Sequence, residues 1–164
     1  MMNKFLNTIL LFQILFITSC SDLIEYTPYD TDIQTHDLNI SESSKINFEE
    51  QSTSDTLRFA LISDIHENYD DLYDAISNIN QLTGLQFVVC CGDITNAGLA
   101  QEFKWYINNS KGSIYPLITV IGNHDYLSNG HTVYTKLFGS SDMSFLVGKY
   151  KFILFDDIIW EKNN

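Results

Sequence analysis

Three short apolar runs recur along the chain, with amphipathic stretches between them. LRFALIS at 57–63, LQFVVCC at 85–91 and PLITVI at 116–121 each read as a buried strand. Between the first two, DDLYDAISNINQL (70–82) places Leu72, Ile76, Ile79 and Leu82 on one helical stripe. Asp70 and Asp71 suit the positive end of that helix, and Gly84 offers a stop. In GLAQEFKWYINN (98–109), Leu99, Phe103, Tyr106 and Ile107 fall at helical spacing. VYTKLF (133–138) predicts a short helix, and MSFLVGKYKFILFDD (143–157) predicts two strands around a Gly148-Lys149 turn. Strand, helix, strand, helix, strand predicts an α/β fold, a parallel-strand-rich sheet with crossover helices. Such sheets bind ligands beyond the carboxyl ends of their strands.

The first 56 residues lack this pattern. MMNKFLNTILLFQILFITSC (1–20) opens with Lys4, continues with an apolar run from Ile9 to Ile17 and closes with small residues before Cys20. That is the layout of a secretory signal, and the run is too short to span a bilayer, which takes about 20 residues. The Ile17-Thr18-Ser19-Cys20 end resembles the lipobox of bacterial lipoproteins. The resemblance implies cleavage before Cys20, lipidation of its thiol, and an exported protein held to a membrane on the periplasmic or cell-surface side. Residues 21–56 are polar and aperiodic, which predicts a flexible tether without chemistry, His36 included. The expected division is therefore a signal at 1–20, a tether at 21–56 and a domain at 57–164.

Composition narrows the function classes. The chain has 164 residues, enough for one domain, with 45% apolar and 18% charged residues. Its formal net charge of -12 opposes binding to a nucleic-acid backbone. Arg58 is its one arginine, which excludes a phosphate clamp built from guanidinium groups, so phosphate chemistry would need a bound cation. Cys90 and Cys91 are neighbours on a strand, point to opposite faces and read as packing residues rather than disulfide partners.

Each of the three strands ends in polar residues of similar kind: Asp64 and His66 after the first, Gly92 and Asp93 after the second, and Gly122, Asn123, His124 and Asp125 after the third. If the strands are parallel neighbours, these side chains converge. Carboxylate, imidazole and amide oxygen without thiolate form a ligand set suited to Mn, Fe or Zn. Asp64-x-His66, Gly92-Asp93 and Gly122-Asn123-His124-Asp125 resemble, in order, the first three signature blocks of the calcineurin-like metallophosphoesterases. The resemblance implies a dinuclear metal site that hydrolyses a phosphoester. By it, Asp64 and His66 bind one metal, Asp93 bridges both, Asn123 binds the second, His124 stabilises the transition state or protonates the leaving oxygen, and Asp125 orients His124.

The family's later blocks, an isolated His and then Gly-His-x-His, do not occur before Asn164. His131, in Gly130-His131-Thr132, reads instead as a loop residue near the cleft mouth. The expectation is a C-terminally truncated domain whose metal site is incomplete, with exposed apolar sheet and an unpaired strand edge. The competing expectations are a catalytically inactive fragment or pseudoenzyme acting as a membrane-tethered binding module, and a tethered interaction domain without metal.

Overall fold

A computed structural model describes residues 27–46 and 56–158. The expected signal, Cys20 included, lies outside the described residues. Among those described, no helix is long and apolar enough to cross a membrane.

In chain order the elements are α1 (Leu38–Ser44), β1 (Phe59–Ile62), α2 (Tyr69–Ile79), β2 (Phe87–Cys90), α3 (Ala100–Ser110), β3 (Leu117–Thr119), a 3-10 turn (His124–Tyr126), α4 (Gly130–Phe138), β4 (Met143–Val147) and β5 (Tyr150–Leu154). β1, β2 and β3 form a parallel sheet in that spatial order. Ile62 pairs with Cys90 and Cys90 with Thr119, so the three strands end on one row. This register brings the polar strand ends together.

Every residue of β2 is buried, as a central strand with both faces covered requires. Alternation along it serves two cores. Cys90 packs toward the helices with Leu72, Ile76, Phe103, Tyr106 and Tyr134, and burial pushes its thiol up to about 12. Phe87 and Val89 face the other way, onto the antiparallel β4–β5 hairpin. There Phe87 meets Phe145 and Phe152 edge-to-face, with ring centres 5.5 and 5.0 Å away. β1 lies at one edge of the sheet, so the first of the three expected buried strands is not buried: its residues alternate between exposed and half-buried, with Leu61 61% exposed.

The helices are close to expectation, with three corrections. α2 ends at Ile79, and Leu82 lies beyond it, 52% exposed. At Asn80 the helix gives way to tighter turns, with Gln81 N–H on Asn78 O and Leu82 N–H on Ile79 O, and the Asn80 side chain bonds to Gly112 O and Ile114 N–H. His131 sits in the first turn of α4 rather than in a loop, exposed and stacked on Tyr126 with ring centres 4.7 Å apart. Cys91 is exposed just past β2 rather than packed in it.

The larger departure is in the segment expected to be a tether. Leu38–Ser44 forms a helix, and Asn39 on it is 1% exposed. Its Nδ2 donates to Thr119 O at 2.7 Å, and its Oδ1 accepts from Thr119 N–H at 2.9 Å. A side-chain amide carries the same donor and acceptor pair as a peptide group. Asn39 therefore continues the hydrogen-bond ladder at the outer edge of β3, meeting Thr119 N–H and sharing Thr119 O with the Tyr134 hydroxyl, which donates at 2.6 Å. Ile46, just after the helix, is buried in the hairpin-side core.

Asn39→Ala strands the buried Thr119 N–H, while Thr119 O keeps the Tyr134 hydroxyl, and is expected to lower unfolding stability by about 1–3 kcal/mol in urea titration. An unchanged midpoint would show that α1 does not close the β3 edge in solution.

Candidate metal centre

The chain leaves β1 and β2 side by side. Asp64 N–H donates to Gly92 O at 3.2 Å and His66 N–H to Asp93 O at 2.9 Å, so the two loops stay paired after the strands stop. Keeping them paired forces unusual backbone. Asp64, His66 and Asp93 have φ of 56°, 47° and 51°, in the left-handed region that costs a non-glycine residue energy. Three site residues out of register with ordinary backbone preference mark a geometry held by its surroundings.

The loops after β2 and β3 approach still more closely. A Cβ on Gly92 would lie 2.8 Å from Gly122 Cα, and one on Gly122 would lie 2.2 Å from both Asp93 N and Asp93 Oδ1. No side chain fits at either position. Across this contact Asp93 Oδ1 accepts His124 N–H at 2.9 Å. His124 is thus fixed at the start of the 3-10 turn, and Asp93 keeps its second oxygen available.

The two histidine rings meet edge-to-face, 4.6 Å between centres. His66 Nδ1 lies 3.2 Å from Thr95 O, and His124 Nδ1 lies 2.8 Å from Asn96 O. A carbonyl oxygen only accepts, so Nδ1 carries the proton in both rings and Nε2 presents a lone pair. Ligand atoms of His66, Asp93 and His124 all lie within 4.8 Å of one another. Two imidazoles and a carboxylate, each half-buried and without thiolate, fit a divalent Mn, Fe or Zn ion.

The residues expected at the site divide into three groups. His66 and Asp93 converge as expected. His124 joins them as a member of the ligand cluster, beyond the proton-transfer role the resemblance gave it. Asp64 and Asn123 lie at the ends of the same loops with exposed side chains, outside that three-residue group. Asp64 is close enough to Cys91 for its charge, after burial, to raise that thiol.

Asp125 departs from its expected part. It does not hold His124, whose Nδ1 is taken by the Asn96 carbonyl. Its fully buried carboxylate accepts from Gly122 N–H, Ile94 N–H, Thr95 N–H and Thr95 Oγ1. Burial raises its pKa above the ordinary carboxylate value, and these four hydrogen bonds pull it back down. Asp125 therefore ties the β2 loop to the β3 loop. Thr95, Asn96 and Glu102 are site-shaping residues that the strand-end pattern did not point to. Their one visible sign was Glu102 three residues after Leu99, the spacing at which a Glu reaches back to a helix start.

A parallel sheet whose aligned ends gather histidine and aspartate around a cation-sized gap defines an α/β protein with a metal-binding type of site. Residues 57–163 match the calcineurin-like phosphoesterase family, and the chain belongs to that family. It is also similar to a protein of Xenorhabdus bovienii (strain SS-2004) described as a probable cyclic nucleotide phosphodiesterase. The two are 30% identical over 64 residues, which is 39% of this chain and 26% of that protein. The match thus spans about a quarter of the relative's length.

Gly122→Ala drives a methyl group into Asp93. Overpacking of this kind is expected to cost about 1–3 kcal/mol and to weaken Mn²⁺ binding measured by calorimetry. Wild-type affinity in this variant would mean the loop contact does not shape the site.

Proposed function

We propose that this chain carries a phosphoester-hydrolysing site that works with two bound divalent cations. The observation that supports it best is the convergence of His66, Asp93 and His124, with both imidazole Nδ1 atoms bonded to carbonyls and both Nε2 atoms left for ligation. When bound, the cations supply Lewis acidity toward the phosphoryl oxygens and acidify water.

The residues divide the work as follows. His66, Asp93 and His124 would hold one ion, with Asp64 as a further oxygen donor at the rim. Asp93, with one oxygen not engaged by His124 N–H, and Asn123 would serve a second ion. His124, held by the Asn96 carbonyl at Nδ1, would present Nε2 to a cation, and the proton for the departing oxygen would come from cation-acidified water. Developing negative charge needs this help, because the chain's net charge of -12 includes one arginine, Arg58. The name of the Xenorhabdus relative favours a phosphodiester as the substrate class to test first.

The test is hydrolysis of bis-p-nitrophenyl phosphate and p-nitrophenyl phosphate by the purified chain with Mn²⁺, with and without EDTA, alongside Asp93→Asn. Expected is Mn²⁺-dependent turnover, faster on the diester, lost with EDTA and in the variant. Equal turnover in Asp93→Asn would refute the site. Mn²⁺ binding without turnover on either ester would refute catalysis and leave a metal-binding module.

A further inference from the structure

We propose that Glu102, a buried carboxylate on α3 distant from the reacting atoms, is a positioning residue that sets the tautomer of both site histidines. The proposal rests on the metal-site reading above and adds to it the device that prepares the ligands.

His66 and His124 come from different loops, yet their Nδ1 atoms are taken by consecutive carbonyls, Thr95 O and Asn96 O. One short segment therefore aims both rings. It is a loop between β2 and α3 with Asn96 exposed, tied locally by Gly98 N–H to Thr95 Oγ1 at 3.2 Å and by Ser128 Oγ to Ala97 O at 2.9 Å, neither of which reaches the Thr95 or Asn96 carbonyl. It is gripped from two sides. Asp125 holds its start at Thr95. Glu102, 5% exposed, holds the remainder. Glu102 Oε1 accepts from Asn96 N–H at 3.1 Å, and Oε2 accepts from Ala97 N–H at 3.2 Å and Leu99 N–H at 2.8 Å.

Helix capping explains only part of this pattern. A Glu at the third helical position serves its helix by bonding the N-cap N–H, here that of Leu99. Asn96 and Ala97 lie before the cap, and their N–H groups belong to no helix. Bonding them does nothing for α3. It does fix the two peptide planes that carry the aiming carbonyls, since Asn96 N–H shares a plane with Thr95 O and Ala97 N–H with Asn96 O. A carboxylate is costly to bury and is tolerated where its oxygens are met by donors. Here those donors are the backbone of the segment that aims the two rings. Asn96 Nδ2 adds a tie to Glu67 Oε1 at 3.1 Å, beside His66.

Long-range ¹H–¹⁵N NMR of the imidazoles in the metal-free full chain reads the tautomers directly, with exposed His36 and His131 as internal controls. Wild type is expected to show Nδ1–H at His66 and His124. In Glu102→Ala both rings are expected to shift toward Nε2–H, the form common in free imidazole, and Mn²⁺ affinity to fall about 10–100-fold. Glu102→Gln keeps the shape and one acceptor oxygen and is expected to fall between, which also covers the case of a poorly folded alanine variant. Leu99→Asp added to Glu102→Ala supplies a new helix cap. It is expected to recover thermal stability without recovering the tautomers or the affinity. Unchanged tautomers in Glu102→Ala and Glu102→Gln, or their full recovery by Leu99→Asp, would overturn the proposal in favour of simple capping. Nε2–H at both histidines in wild type would refute the site geometry itself. Absent turnover with tautomers that still respond to Glu102 would refute only the hydrolase reading.

Discussion

The carboxylate of Asp125 joins the loop after β2 to the loop after β3, and the site exists only where those loops meet. Four donors reach it: one from the β3 loop itself and three from Ile94 and Thr95 across the gap. Hydrogen bonds to a charged group contribute about 1.5–3 kcal/mol each, and burial of the charge opposes them, in line with the raised pKa. What survives is a rigid joint. Gly92 and Gly122 let it close, and Asp93 completes it by taking the His124 N–H.

That joint also carries strain. Asp64, His66 and Asp93 all sit at positive φ, at a cost on the order of 1–3 kcal/mol each. Local sequence does not favour such backbone, so the loop pairings of Asp64 with Gly92 and His66 with Asp93 must hold it. The aligned ends of the parallel sheet supply the platform, and the two cores on its faces keep the platform fixed. The result is three ligand groups gathered before any cation arrives. Preorganisation of this kind spares the cation the cost of assembling its own site.

Much of this was legible in the residues. The three apolar runs gave the parallel sheet because apolar stretches of that length between helical stripes have few other uses, although β1, at the sheet edge, is not buried. Polar residues clustered at the ends of those runs gave the site, because the sheet's topology leaves strand ends as its crevice. Less legible were features that depend on distant partners. Asn39 looks like a linker residue until Thr119 is placed beside it, eighty positions away. Leu38–Ser44 is too short for its period to stand out. The family resemblance implied that Asp125 orients the His124 ring, yet successive residues of a 3-10 turn point in different directions. Glu102 showed only a capping spacing, which says nothing of Asn96 and Ala97.

The central claim is that His66, Asp93 and His124 together hold a divalent cation. The most direct measurement is an anomalous difference map from crystals soaked in Mn²⁺, collected on the wild-type chain. The account predicts a peak among His66 Nε2, His124 Nε2 and the Asp93 carboxylate, with both Nδ1 atoms still on the Thr95 and Asn96 carbonyls. A map without density there at saturating Mn²⁺, or with the ion held by other residues, would contradict it.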